Sequence, residues 1–369
     1  MAVLFGHMKS IMDETSDSRA VRARAPLRLG LAGGGSDVSP YCDEYGGFVL
    51  NATLNLYAYC TVAQNDKLEA DSNHLEVHLL DAGRQCHISL TEPPNEIDPF
   101  FRLHWETYRL VCDRFLKGAR PALKIYTSSD APPGSGLGSS STLVVAMLAA
   151  LREFFLLPLG EFDLAQLAYH IERKICGQAG GKQDQYAAAF GGFNFIEFYA
   201  SDRVVVNPLR IKRKVIDELE CSLVLFFTGV SRDSSKIIQE QSQVLSTGSS
   251  STGLNAMHLV KAEALEMKEL LLKGDIWGLA DSLKRGWIAK KQTASSISNS
   301  SIDSVVEGAL ERGARSGKVS GAGGGGFVML LVDPLKKPNV IRYLDSLGTG
   351  YVLRCGFNEH GAQSWVIDT

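Results

Sequence analysis

Pro132-Pro133-Gly134-Ser135-Gly136-Leu137-Gly138-Ser139-Ser140-Ser141 runs directly into Thr142-Leu143-Val144-Val145-Ala146-Met147-Leu148-Ala149-Ala150-Leu151. Three glycines and four serines without a large polar side chain make a poor core and a good anion cradle. Glycine turns backbone N–H groups toward one point at little steric cost, and a helix start adds unpaired donors and a positive dipole end. A phosphate chain suits such a turn best, so the first implication is a nucleotide. A Walker A turn would carry Lys and then Ser or Thr after its last glycine. Here Ser139 follows Gly138, and no lysine lies between Lys124 and Lys174. A dinucleotide turn would space its glycines differently and be followed by a strand ending in Asp or Glu. A flexible linker would not lead straight into an apolar run that demands burial.

At 369 residues the chain is long enough for two domains with a proper core. Its 45% apolar and 21% charged content is that of a soluble globular protein. A net charge of −3 gives no footprint for nucleic acid, and the longest apolar run, Leu143 to Leu151, is too short to cross a bilayer. Cys42, Cys60, Cys86, Cys112, Cys176, Cys221 and Cys355 are odd in number and scattered, which argues against a disulfide framework or zinc spacing and for a reduced cytoplasm. His74 and His78 would share one face of a strand about 13 Å apart, too far to hold one metal. Met1 to Met8 resembles a cloning-vector remnant, and the polar residues up to about Arg19 read as loose.

Outward from the glycine turn, the pattern predicts α+β organisation without a regular βαβ repeat. Val21 to Leu31 reads as a strand broken by Pro26, leading to Gly33-Gly34-Gly35-Ser36-Asp37. Phe48 to Ala63 reads as one or two strands, and Leu75 to Leu80 with Cys86 to Leu90 as a hairpin. Leu103 to Leu116 is helical by spacing, Ala122 to Thr127 is a strand, and Thr142 to Phe155 is the helix after the turn. Asp163 is expected to cap a second helix, which Gly177 to Gly181 stops, and Phe190 to Phe198 to be a strand. The two domains are expected at residues 20–203 and 204–369. In the second, Cys221 to Thr228 reads as a strand and Leu245 to Gly253 as a surface loop. Met257 to Leu272, Ile276 to Thr293 and Ser304 to Arg315 read as helices, before a strand, glycine turn and strand over Gly317 to Val332.

Glu172 and Asp184 follow the cradle closely. A carboxylate beside phosphate is what Mg²⁺ needs, and a second one on a glycine-freed loop suits a general base for an attacking hydroxyl. Either alone would pass for a solvated helix Glu or a turn Asp; their place beside the cradle favours chemistry. Asp37 and Arg28, at the first glycine turn, suit a polyhydroxyl ligand. Five glycines among residues 321–326 exceed what a hairpin needs and imply that backbone approaches another loop or a ligand closely.

Three glycine turns in this order resemble the GHMP superfamily of small-molecule kinases. Arg24-Ala25-Pro26-Leu27-Arg28 with Gly33 to Asp37 is similar to the first family motif, Pro132 to Ser141 to the second, and Val319 to Phe327 to the third. The resemblance covers the chain from about Arg22 onward. It implies the two-domain α+β fold of that family, with the active site in the cleft between domains. Leu29 to Tyr41, Gly181 to Tyr186 and Ile297-Ser298-Asn299 resemble the branch that phosphorylates the anomeric hydroxyl of D-glycero-D-manno-heptose 7-phosphate, on the way to nucleotide-activated heptose for surface polysaccharide. That branch usually has Thr where Ser36 stands. Galactokinases carry a Glu-His pair that Gly33 to Gly35 lack.

The resemblance further implies ATP and Mg²⁺ as cofactors. The backbone of Pro133, Gly134, Ser135, Gly136, Leu137, Gly138, Ser139, Ser140 and Ser141 would hold the phosphates, and Ser140 with Glu172 the metal. Asp184 would be the base, with Arg28 steadying it or the transferring phosphoryl group. Gly34, Gly35, Ser36, Asp37 and Gly181 would meet the sugar, with Asp37 on its hydroxyls. Among Lys182, Arg232, Arg285, Lys290 and Lys291, the distal phosphate would fall to Lys182 and one of the Lys290–Lys291 pair. The implied partners are a sugar phosphate and ATP, with neither nucleic acid nor membrane; a homodimer stays open. Two other readings also stay open: a different sugar or isoprenoid-pathway kinase, and a non-catalytic nucleotide and sugar sensor.

Overall fold

In the computed structural model, which describes residues 19–64, 73–92, 94, 96–231, 234–246 and 251–367, Pro26 does not break the first strand. β1 (Ala20–Ala32) runs antiparallel to β2 (Gly47–Gln64), and their register shifts between Pro26 and Arg28, the irregularity by which a strand accommodates a residue without an N–H. The far end of β2 pairs β5 (Leu123–Ser129), and its near end pairs β6 (Phe193–Phe198). The hairpin β3 (His74–Leu79) and β4 (Arg84–Ser89) joins through a parallel β3–β5 pairing. β7 (Val204–Pro208) extends the same sheet beyond β6, and β12 (Gln363–Ile367) closes its other edge on β1. A division between residues 203 and 204 therefore falls inside one hairpin, and the last strand of the chain returns to the first sheet. The Met1-to-Met8 stretch and the residues before Arg19 lie outside the described residues.

Short α1 (Tyr41–Tyr45) follows the first glycine turn; α2 (Arg102–Phe115) and α3 (Ser139–Phe155) cover the sheet. Every residue from Val144 to Leu151 has no exposed surface, because α3 is packed all round, between β1 and β2 on one side and helices on the other. Removing one such leucine side chain costs about 2–5 kcal/mol, so the cradle at the start of α3 rests on a stiff support. α4 (Glu161–Tyr169) has Gly160, not Asp163, as its N-cap. Asp163 sits in the first turn and accepts the Gly160 N–H at 2.9 Å, doing the capping from inside the helix. α4 passes into a π-helical turn (His170–Ile175), and α5 (Gln183–Phe190) carries Asp184 on a helix where a loop was expected and takes the first residue of the expected strand.

The second sheet has the order β11 (Tyr351–Leu353), β8 (Leu223–Phe227), β10 (Phe327–Val332), β9 (Ala314–Val319), all antiparallel. α6 (Arg213–Ser222), α7 (Ser234–Ser246), α8 (Ser251–Lys273), α9 (Ile276–Lys291), α10 (Ser300–Glu311) and α11 (Lys337–Ser346) surround it. The loop expected over Leu245 to Gly253 is largely helix: α7 reaches Ser246 and α8 starts at Ser251, while residues 247–250 lie outside the described set. On β8 and β10, Val224, Phe226, Val328 and Leu330 face α10 and α11. The alternate residues Leu225, Phe227, Met329 and Leu331 join a core that also contains Leu27, Leu29 and Leu50 of the first sheet. The two sheets thus share one apolar core, which fixes the walls of the cleft between them.

Candidate active site

Three glycine turns meet in that cleft. Gly134, Gly136 and Gly138 have φ of +72°, +84° and +75°. A Cβ on Gly136 would overlap the Ser320 carbonyl, and one on Gly321 would press into Gly136. Ser320 Oγ donates to Gly136 O at 2.9 Å, and Phe327 N–H to Ser135 O at 2.9 Å. The glycines of the third turn are therefore there for loop against loop, one of the two uses their density implied. α3 has no side-chain cap, and its first intrahelical bond runs from Thr142 N–H to Gly138 O. The N–H groups of Ser139, Ser140 and Ser141 have no intrahelical acceptor, and all three residues line the cleft with Gly134, Gly136 and Gly138. Pro133, Ser135 and Leu137 do not line it: Ser135 and Leu137 are fully buried, and Pro133 O accepts the Ser231 hydroxyl.

Arg28 ties Asp184 to the second glycine turn. Its Nε donates to Asp184 Oδ1 at 2.6 Å, its Nη1 to Gly136 O at 2.6 Å, and its own N–H to Leu137 O at 3.1 Å. Asp184 abuts Gly138 and lines the cleft. Glu172, 1% exposed, stands opposite: Ser140 Oγ donates to Oε1 at 2.9 Å, while Ser141 Oγ and Gln185 Nε2 donate to Oε2 at 2.6 Å each. Among the described residues no cluster of three His, Cys, Asp or Glu could hold a metal by itself. A hydroxyl and one carboxylate are hard oxygen donors that suit Mg²⁺ arriving with phosphate and water, so Ser140 and Glu172 fit that ion.

Several side chains do other work than the sequence suggested. Asp37, 1% exposed, accepts the N–H groups of Lys182 (2.9 Å) and Gln183 (3.1 Å) on Oδ2, and those of Gly35 (3.0 Å) and the Gln183 amide (3.3 Å) on Oδ1. The carboxylate is engaged by four protein donors, so Asp37 joins the first glycine turn to the start of α5 while also lining the cleft. Ser36 is fully buried and staples Gly33 to Phe48. Gly34, Gly35 and Gly181 do line the cleft.

Lys182 turns away from the cleft to Asp202 (2.7 Å). Burial works against its ammonium, but that bond, with Cys42 and Tyr169 nearby, outweighs it and raises the pKa. Lys291 pairs with Asp303 at 3.2 Å, and Arg285 with Glu263 and Glu266 at 2.7 and 2.8 Å, away from the cleft. Arg232 lies outside the described residues. Lys290 remains: 6% exposed, it lines the cleft and donates to Gly321 O at 2.7 Å. Burial, with Arg28 adding to it, pushes its ammonium down to about 8 against the pull of Asp37 and Asp184.

Two cations were not foreseen. Arg173 lines the cleft, lies 3.4 Å from Glu172 and donates to Gly181 O at 3.3 Å. The π-turn lets Glu172 and its chain neighbour face the same cleft, which a regular helix pattern does not predict. Lys318 is buried behind Lys290 and donates to Leu31 O at 3.1 Å; burial, then Lys290 and Arg28, hold its pKa well below the usual value. The only sequence signal for it is its place two residues before the third glycine turn.

A glycine turn with unpaired N–H groups and an arginine-held carboxylate beside one cleft match what a small-molecule phosphotransferase needs. The chain belongs to the GHMP kinases. The model of the GHMP kinases N terminal domain matches residues 102–192, and that of the GHMP kinases C terminal matches residues 267–349. The chain is 43% identical over 355 residues, 95% of its length and 100% of the relative's, to a D-glycero-alpha-D-manno-heptose 7-phosphate kinase of Campylobacter jejuni. The crystal structure of a D-glycero-D-manno-heptose 1-phosphate kinase from Bacteroides thetaiotaomicron superposes with a TM-score of 0.78 at 43% identity, covering 95% of this chain and 100% of that one. Lactococcus lactis galactokinase, at 16% identity and a TM-score of 0.72 over 98% and 99% of the two chains, shares the fold. No helix among the described residues is long and apolar enough to cross a membrane.

Proposed function

We propose that the chain transfers the γ-phosphoryl group of ATP to the anomeric hydroxyl of D-glycero-D-manno-heptose 7-phosphate. The products are the 1,7-bisphosphate and ADP, feeding nucleotide-activated heptose and surface polysaccharide from the cytoplasm. The observation that carries the chemistry is Asp184, fixed by Arg28 Nε at 2.6 Å while Arg28 also grips the cradle at Gly136. One side chain thus sets the distance between base and phosphoryl donor. The acceptor assignment rests on the whole-length identity to the Campylobacter jejuni kinase.

The N–H groups of the Gly134-to-Ser141 segment receive the phosphates. Asp184 takes the proton of the anomeric hydroxyl as its oxygen bonds to the γ-phosphorus and the bond to the β-phosphate oxygen breaks. Arg28 holds Asp184 on line, and Arg173 and Lys290 offset the charge that crowds the cleft. Mg²⁺ held by Ser140 and Glu172 would supply neutralisation of phosphate charge. Catalysis of this kind is mostly positioning and electrostatics. The anomeric hydroxyl is more acidic than an ordinary alcohol, which eases its deprotonation. Lys290 takes the 7-phosphate: Arg28 and Arg173 lie against Asp184 and Glu172, whereas Lys290 donates to the Gly321 carbonyl.

Single-turnover assays with heptose 7-phosphate beside unphosphorylated heptose, mannose and fucose test the acceptor. Turnover confined to heptose 7-phosphate is expected, and preference for another sugar would overturn the assignment. Asp184→Asn is expected to keep ATP binding and lose about 10²–10⁴-fold in rate; near-normal turnover would remove Asp184 from the role of base. ATP and sugar binding without turnover in the wild type would make the chain a sensor.

A further inference from the structure

The two segments that carry the metal carboxylate and the base each have a second side. In the π-turn, Glu172 and Arg173 line the cleft while His170 and Lys174 line another cavity, of about 450 Å³. In the next segment Gly181, Gln183 and Asp184 line the cleft, and Lys182 between them lines the other cavity. Arg114 of α2 and Asp202 of the β6–β7 turn complete its charged wall. Arg114 and Lys174 make no ion pair among the described residues, while Lys182 holds Asp202 at 2.7 Å. Asp163, the other carboxylate there, is occupied by the Gly160 N–H. Tyr169 supplies an aromatic face, with the Lys174 and Lys182 ammonium groups 5.8 and 5.6 Å from its centroid.

The β6–β7 turn adds a second observation. Ser201 and Asp202 have φ of +59° and +53°, the conformation of a tight hairpin turn that Asn-Gly fills with least strain. Two non-glycine residues are kept there, and the second points its carboxylate into the cavity at Lys182. Cations on three elements, an aromatic wall and one carboxylate with an exposed edge are the complement of a phosphorylated polyol.

We propose that this cavity is a second ligand site, for a phosphorylated sugar of monosaccharide size. Arg114 and Lys174 take the phosphate, Tyr169 packs against the ring, and Asp202 accepts hydroxyls. Occupancy is felt in the cleft through Lys182: a ligand that engages Asp202 loosens its hold on Lys182, whose main-chain N–H is bonded to Asp37 and which stands two residues before Asp184. The site differs from the acceptor site of the cleft and does not depend on which sugar is phosphorylated there.

Calorimetry on the full chain saturated with ADP and magnesium tests this, with mannose 6-phosphate and inorganic phosphate as probes. Mannose 6-phosphate is expected to bind at a site weakened at least tenfold in Arg114→Gln/Lys174→Gln and kept in Lys290→Met, with inorganic phosphate binding there more weakly. Both variants are checked to melt no lower than wild type before titration, and His170→Gln with Lys174→Gln replaces the first pair if that pair melts early. No binding in the wild type, or binding lost only in Lys290→Met, overturns the site. Hydrogen exchange at the Lys182 and Gln183 amides is expected to change at least threefold when the probe binds; binding without that change overturns the coupling.

Discussion

Replacing Lys290 by methionine separates stability from function at one side chain. The ammonium lies buried between the first and third glycine turns, and its pKa falls from 10.5 to about 8. A shift of that size corresponds to about 3 kcal/mol of folding free energy. Its sign follows from proton binding. Below pH 8 both folded and unfolded chains carry the proton, and the folded state bears the full cost of the buried charge. Between pH 8 and 10.5 the folded state has lost the proton while the unfolded one keeps it, so the cost fades and vanishes above 10.5. Lys290→Met lacks this cost and loses the bond to Gly321 O, a loss of about 1 kcal/mol. The variant should be more stable than wild type by roughly 2 kcal/mol at pH 7, with the gap closing and reversing toward pH 10. Urea unfolding followed by tryptophan fluorescence at pH 7, 8.5 and 10 measures it. The same variant should raise KM for heptose 7-phosphate about 10–100-fold, the worth of one charge-assisted hydrogen bond. A variant less stable than wild type at pH 7, or a gap that ignores pH, would refute the electrostatic account of Lys290.

Gly136→Ala puts a methyl group into the Ser320 carbonyl at a φ of +84°, so melting should fall by several degrees and nucleotide affinity with it, read by thermal unfolding with and without ATP. Asp37→Asn leaves the Lys182 and Gln183 N–H pair facing an amide that has one acceptor oxygen, which should cost about 1–3 kcal/mol in unfolding experiments and speed exchange of those amides. Glu172→Gln keeps the shape but removes the charge, and the Mg²⁺ concentration for half-maximal activity should rise at least tenfold while the fold melts near the wild-type temperature.

Backbone requirements were easier to read in the sequence than side-chain directions. The cradle at Gly134 to Ser141 and the packed loop at Gly321 to Gly326 were legible because glycine at such density has few other uses, and positive φ at Gly134, Gly136 and Gly138 is that use. Glu172 and Asp184 were legible from their nearness in sequence to the cradle. Lys182, Lys291 and Arg285 were not, since a charged side chain on a loop or helix can meet any neighbour that tertiary structure brings. Here they meet Asp202, Asp303 and Glu263. Asp37 carries the signature of a ligand-binding carboxylate, yet four protein donors engage it. Arg173 was hidden by the π-turn, which alters the periodicity from which a helix face is judged. The stretch from Leu245 to Gly253 looked like a loop because Ser, Thr and Gly dominate it, although α8 takes its last three residues.

β12 pairs with β1 through Ala20 opposite Ile367 and Arg24 opposite Gln363. During synthesis the outer edge of β1 has no partner until residues 363–367 have left the exit tunnel. An unpaired strand edge is a template for adventitious pairing, and contacts of such sequence separation form late. The nascent chain therefore carries an open β-edge until residues 363–367 emerge, and chaperone occupancy should persist until β12 docks.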